Sequence, residues 1–329
     1  VGAVVSASLQ VVAVGGGSGL AVALRGLKAH VGRDIGSLQA VVTVTDDGGS
    51  SGRLRRDFGV LPPGDIRNCL VALADDEDLL ARLFQYRFAD GEGLSGHSFG
   101  NLLLTALTGI TGDFYKAVLT AETILSVKGR ILPATLADVR LGARGISGRR
   151  YDGESAVGRS AEPLASLGLH PSEPAAFRPA VDAILSADVV LLGPGSLYTS
   201  ILANLLIPGI RRAVCETGAL VVLPLNLMTQ PGESDGLGAD DHLRAIERHA
   251  EPGLVDVVLV HDRPLPADRL AAYKALGSEP VWGEANGETM GPVRVERRDL
   301  LAPGELIRHD PARLAGAVLD LACGRTTLP

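Results

Sequence analysis

Along the chain, short β-type apolar runs alternate with longer amphipathic stretches. Val11 to Val14 is the first apolar run. Five small residues, Gly15, Gly16, Gly17, Ser18 and Gly19, separate it from an amphipathic stretch that begins at Leu20. Residues 39–45 (QAVVTVT) predict a second strand, followed by the polar turn DDGGSSGR. Helices are expected to open near Asp65, where prolines and a glycine stop the preceding loop, and near Ser98; residues 113–128 continue the helical pattern. Residues 130–162 change character, with short alternating segments rich in Gly, Arg and Ser, and predict a β-hairpin excursion. The core pattern resumes with a helix over 179–186, a strand over 188–192 and the loop GPGSLYTS. Strands at 219–225 and 255–260 flank a helix at 239–248, and Val293 to Glu296 precedes a last helix from about Asp310. No internal repeat is visible. β and α elements in this alternation predict an α/β fold with a mostly parallel sheet.

Composition narrows this picture. In 329 residues, 46% are apolar and only 4% aromatic, so Ala, Val, Leu and Gly must fill the core, as suits helices packed closely on a parallel sheet. The formal charge of −7 gives no reason to expect bulk attraction to nucleic acid or to an anionic membrane, although a local basic pocket stays open. Cys69, Cys215 and Cys323 are odd in number and widely spaced, which argues against a disulfide framework and for a reducing cytoplasm. Two uncharged runs, 1–24 and 189–210, are interrupted by glycine or Gly-Pro-Gly and read as strand–loop–helix units, so no membrane insertion is expected.

A strand, a glycine turn and a helix in succession gather unpaired backbone N–H groups and a helix N-terminus at one point, an arrangement that suits a phosphate. The dinucleotide fingerprint fits Gly15 and Gly17, but its third glycine falls on Leu20; the absence of G-K-[ST] argues against a P-loop NTPase. Three further polar clusters fall at predicted strand ends. Thr45-Asp46-Asp47 reads as a ribose acceptor, as a carboxylate pair holding Mg²⁺ through water, or as a solvated turn. Gly193, Gly195 and Ser196, with Tyr198, Thr199 and Ser200, offer hydroxyls and amides for a second phosphate or a sugar. Asn226 and Gln230 offer neutral amides for a base or sugar. His97 and Asn101 bracket a predicted helix start, His97 as anion ligand, proton carrier or structural group. Arg53, Arg55, Arg56 and Arg67 either pair with phosphate or neutralise Asp46, Asp47, Asp57 and Asp65. The pairs His261-Asp262 and His309-Asp310 lack a third residue at metal-ligand spacing.

In this order, VVAVGGGSGL, VTVTDDGGSSGRLRRDFGVLPPGDIRNCLVAL, SFGNLLLTAL, GPGSLYTSI, MTQPGE and LIRHD resemble the gluconeogenesis factor family, the YvcK-like proteins. That family is related to 2-phospho-L-lactate transferase, CofD, of deazaflavin coenzyme synthesis. The resemblance spans about Val11 to Leu319, and the composition points to an actinobacterial member. It implies a single Rossmann-like, three-layer α/β domain over 1–329 and a cytoplasmic protein. It also implies UDP-N-acetylglucosamine as ligand and a role in cell shape and peptidoglycan precursor supply on gluconeogenic carbon. The family's tyrosine and arginine contacts would match Tyr273 and Arg308, giving an anticipated ligand set that runs from the glycine loop through Thr45, Asp46, Asn101, Gly193, Gly195, Ser196, Asn226 and Gln230. A threonine that follows the R-H-D triplet in some members is Pro311 here. The expected partners are a nucleotide sugar and a cell-wall precursor enzyme, with a homodimer open and no certain cofactor. Established turnover is not expected. The alternative is a Mg²⁺-dependent phospholactyl-type transferase, with Asp46 or Asp47 on the metal; a nicotinamide oxidoreductase ranks third.

Overall fold

The computed structural model describes residues 8–74, 79–160, 162–281 and 289–326; the first seven residues of the apolar run 1–24 lie outside them. After β1 (Leu9–Gly15) come α1 (Gly17–Lys28) and β2 (Ile35–Val42). Five helices follow: α2 (Gly49–Phe58), α3 (Gly64–Leu73), α4 (Leu79–Gln85), α5 (Phe99–Thr111) and α6 (Phe114–Ile124). The middle of the chain holds β3 (Arg130–Pro133), β4 (Arg140–Gly145), β5 (Arg150–Asp152), α7 (Glu154–Val157), β6 (Leu164–His170) and α8 (Arg178–Leu185). Beyond β7 (Val189–Leu192), a π-helical turn (Leu197–Leu202) leads into α9 (Ala203–Leu205) and α10 (Pro208–Glu216). The last part comprises β8 (Leu220–Pro224), α11 (Ala239–His249), β9 (Val257–His261), α12 (Ala267–Ala275), β10 (Thr289–Met290), β11 (Val293–Arg298) and α13 (Pro311–Thr326).

The main sheet has the order β10-β11-β9-β8-β7-β1-β2-β3, parallel throughout except for the β10–β11 pair. Strand alternation divides the core. Val11 and Ala13 of β1 face one apolar layer with Leu20, Leu24 and Val318, whereas Val12 and Val14 face the other with Leu202, Ile210 and Ile246. Helices on both faces of a parallel sheet bury each strand twice, which is why β1, β7, β8 and β9 read as continuous apolar runs. Strand order reverses between β1 and β7. The chain leaves β1 toward β2 and β3 on one side, and leaves β7 toward β8 and β9 on the other. Loops after these two strands therefore diverge and leave a crevice beyond their carboxyl ends.

Three expectations are corrected. The excursion does not begin at 130, because β3 pairs with β2 in the main sheet; it comprises β4, β5 and β6, a separate three-stranded antiparallel sheet. The second strand ends at Val42 instead of residue 45, so Thr45 and Asp46 sit in the loop beyond it. The turn GGSSGRL is the helix α2, despite glycines that disfavour helix by about 1 kcal/mol each relative to Ala. Tertiary contact overrides that propensity. Ser50, Ser51, Gly52, Leu54 and Arg55 are buried, and Gly52 lies against the Asp47 carbonyl where a Cβ would not fit. Among the described residues no helix is long and apolar enough to cross a membrane.

Candidate functional site

The glycine loop is shaped by three separate demands. Gly16 is extended, and a Cβ there would come within 2.5 Å of Asp65 Oδ2 and 2.7 Å of the Thr43 methyl. Gly17 has φ +64°, a left-handed conformation that costs other residues strain. Gly19 meets Pro194 and Gly195 of the loop after β7, with its Cβ position 2.9 Å from Gly195 Cα. Close approach of the two loops is thus supplied by Gly19, and Leu20, the position of the missing third glycine, is fully buried in the core. Helix α1 starts at Gly17, three residues earlier than its apolar pattern suggests, and has no side-chain cap. Its first-turn amides and dipole are directed at the crevice.

A cleft of about 500 Å³ opens at this switch point. Ser18, Gly19, Gly195, Ser196, Asn226, Gln230, Tyr273 and Arg308 all line it, together with Gly16 and Gly17. Gly15 lies just beneath, its carbonyl accepting from Asn204 Nδ2 at 2.9 Å, and Gly193 pairs its N–H with Val14 at 2.8 Å. Asn226 Nδ2 donates to the Gly195 carbonyl at 2.9 Å, which ties the loop after β8 to the loop after β7. Gln230 keeps a buried Oε1 with no protein partner. Tyr273 both accepts from the Ile307 N–H at 3.1 Å and lies 3.4 Å from the Ile307 carbonyl, so it fastens the segment carrying Arg308 over the cleft. Leu227, Met228 and Ile307 form a small apolar cluster behind that segment.

The electrostatics are one-sided. No Asp or Glu is among the lining residues, yet Arg25 and Arg308 both are, and neither guanidinium has an ion-pair partner among the described residues. Arg25 escaped the sequence reading. Its spacing offers a clue, since Ser18, Val22 and Arg25 share one face of α1. His309, buried beside Arg308, is held down to about 4 by burial and is a neutral wall at neutral pH.

The other predicted residues lie elsewhere. Thr45 donates to Glu154 Oε2, and Asp46 Oδ1 accepts the Gly48 N–H at 2.9 Å. Asp47 Oδ1 accepts the Ser155 N–H at 2.9 Å. Together with Asp65 they form an acidic cluster against the glycine loop, none of whose members lines the cleft. Burial, and then the Asp46 charge, raises Asp65 to about 7, against the Gly17 N–H that it accepts. Burial and Asp65 push Glu154 well up too. Neither Asp65 nor Glu154 stood out as a site residue in the sequence. Among the described residues no three His, Cys, Asp or Glu groups are arranged to hold a metal ion.

Asn101 is part of a buried polar lock. Its Nδ2 donates to Ser50 Oγ at 3.1 Å, Ser50 Oγ lies 2.9 Å from His97 Nδ1, and Ser98 caps α5. That lock joins the starts of α2 and α5 and does not reach the cleft. The amides after GPGS are also engaged: Tyr198 and Thr199 donate their N–H groups to Glu233 Oε1 at 2.9 and 3.0 Å. An internal carboxylate therefore occupies the place anticipated for a second phosphate and also takes the Ser196 hydroxyl, although Gly195 and Ser196 still line the cleft.

Compared with known proteins, residues 11–301 match the family model described as 2-phospho-L-lactate transferase CofD. A putative gluconeogenesis factor from Nostoc sp. is 47% identical, covering 94% of this chain and 68% of that protein. The gluconeogenesis factor of Bacillus subtilis is 43% identical over 93% of this chain and 96% of its own length. The crystal structure of a UPF0052-family protein from Bacillus halodurans has a TM-score of 0.90 at 42% identity, covering 95% of this chain and 99% of that one.

Proposed function

Because the chain belongs to the CofD family and stands among its gluconeogenesis factors, we propose that the switch-point cleft binds a nucleotide sugar, UDP-N-acetylglucosamine or a close analogue. The observation that carries this reading is the charge and donor pattern. A cleft free of carboxylates presents two unpaired guanidiniums and an uncapped helix N-terminus in a chain of net charge −7. A diphosphate satisfies both: its oxygens take α1 amides on one side and Arg308 bidentately on the other. The unpartnered Gln230 side chain then faces sugar hydroxyls, and Tyr273 walls off one end.

Binding of this kind makes the protein a cytoplasmic sensor that reports nucleotide-sugar supply to a cell-wall precursor enzyme, with cell shape as the downstream readout. Calorimetric titration against UDP-N-acetylglucosamine, UDP, GDP and NAD, with and without Mg²⁺, tests it. Tight binding of the sugar nucleotide alone is the expected result; preference for NAD would overturn it.

The acidic cluster supports a second reading, a transferase acting on a nucleotide diphosphate donor. Asp46 acts electrostatically on Asp65, whose carboxylate lies against Gly16, and the pair would hold Mg²⁺ largely through water beside a diphosphate on the glycine loop. Mg²⁺ would supply charge neutralisation on the diphosphate. A Mg²⁺-dependent product from a deazaflavin acceptor would favour this reading, and Mg²⁺-independent binding without product would remove it.

A further inference from the structure

A second hollow, of about 780 Å³, shares no lining residue with the cleft. It is a trough between α2 and the outer face of the small antiparallel sheet. Strand alternation builds its floor. Leu141, Leu167 and Leu169 turn inward to the apolar core, so Arg140, Gly142 and Arg144 of β4 turn outward. Their neighbours on β6 are His170, Gly168 and Ser166 in that order. Gly142 opposite Gly168 thus leaves bare backbone at the centre of the face. A Cβ on Gly168 would meet nothing within 4 Å.

Cations flank that bare floor. Arg56 from α2 and Arg140 have no ion-pair or hydrogen-bond partner among the described residues. Arg144 reaches only the Gly148 carbonyl at 3.5 Å, and Arg150 lies 3.6 Å from an exposed Asp152. Buried Arg55, in the same wall, is paired with Asp138 yet keeps Nε and Nη1 unpartnered. Asp47 and Asp152 also line the trough, Asp152 beside Gly142, but Arg56, Arg140 and Arg144 have no carboxylate partner among the described residues, so positive charge is in excess although the chain as a whole is acidic.

We propose that this trough binds an extended acidic segment of a partner protein, with carboxylates four residues apart. Arg140 and Arg144 stand four residues apart on one strand, about 13 Å at strand rise, with the glycine floor between them. A diphosphate reaches both only if the two side chains lean toward each other over the glycine floor, whereas two separate carboxylates match their spacing directly. An extended peptide with acidic side chains at i and i+4 has the same repeat, and the floor lets its backbone approach the sheet closely. Small-molecule pockets are mostly apolar with few polar groups, whereas this face offers guanidiniums around exposed backbone. Charge complementarity of this kind steers and orients a macromolecular partner.

The test is fluorescence anisotropy in low-salt buffer with a short labelled glycine–serine peptide carrying two aspartates four positions apart. Saturable binding is expected, weaker by about tenfold for a peptide with the aspartates adjacent and by at least that for Arg140→Glu or Arg144→Glu. Gly168→Leu fills the floor without meeting a neighbour and is expected to abolish binding with the thermal midpoint unchanged. If that variant melts lower, the arginine reversals decide the matter. UDP-N-acetylglucosamine affinity should stay constant in all three variants, which separates failure here from failure of the nucleotide-sugar reading. Equal binding of the two peptides, or full binding by folded Gly168→Leu, would overturn the proposal. So would a concentration-dependent dimer lost in Arg140→Glu, because the trough would then be covered by a second copy.

Discussion

The two sides of the glycine loop make opposite uses of the same backbone. On the cleft side, Ser18 and Gly19 face a space with no carboxylate and two unpaired arginines. On the acidic side, Gly17 donates its N–H to Asp65, which is buried with Asp46 and Glu154 nearby. One helix N-terminus thus holds an internal anion that shapes the loop and keeps its remaining first-turn amides at the cleft. The difference teaches that a carboxylate beside a glycine loop can be held by the fold itself. Here its proton and its hydrogen bonds are spent on the fold.

The largest effect should come from joining the two sides. Gly16→Val drives a branched side chain into Asp65 and Thr43, and is expected to lower stability by about 3 kcal/mol in urea denaturation and to eliminate nucleotide-sugar binding. Arg308→Glu isolates the cleft side. Because its guanidinium is exposed and unpaired, the fold should survive while heat stabilisation by UDP-N-acetylglucosamine disappears, a loss of about 2 kcal/mol or more in binding. Unchanged stabilisation would remove Arg308 from the site.

Asp65→Asn isolates the acidic side. The carboxyl stands at about 7 in the folded chain and near 3.8 when unfolded. Between those values the unfolded state loses its proton first, so stability falls as pH rises from about 4 to about 7 and is level above that. The variant removes this fall. Its thermal midpoint should exceed that of the parent by a few degrees at pH 8, about 2 kcal/mol, with the gap closing toward pH 4. A gap independent of pH would sink the argument. Asn101→Ala should cost about 1 kcal/mol of stability with no change in ligand affinity, since its bond to Ser50 belongs to the lock between α2 and α5. The smallest effect is expected from Arg25→Ala, about a threefold weakening that shrinks further with added salt.

Much of the frame was legible before any coordinates. The apolar runs of β1, β7, β8 and β9 were placed within two residues at either end, and Ser98 was recognised as a helix start. Helix α2 was not, because GGSSGRL has poor helix propensity and only its burial against the Asp47 carbonyl explains it. Ten of the anticipated residues, from Gly16 and Gly17 through Tyr273 and Arg308, share the cleft. Thr45, Asp46 and Asn101 were drawn to it by their position after a strand or at a helix start. Such a position is shared by both sides of the glycine loop, so a one-dimensional reading cannot separate them. Glu233, which caps the π-helical turn, and Asp65, which supports Gly17, are ordinary acidic residues in sequence.

By itself the sequence determined the parallel α/β frame and the strand–glycine turn–helix unit at its start, because periodicity and glycine placement are local properties. It also carried the family resemblance that singled out Tyr273 and Arg308. Only the tertiary structure decided which polar groups meet. Strand order reverses between β1 and β7, and the cleft at that point is lined by Arg308 and the glycine loop but not by Asp46 or Asp65. Which amides remain unpaired for a ligand depends on contacts between residues far apart in the chain, and those arise only when the chain has folded.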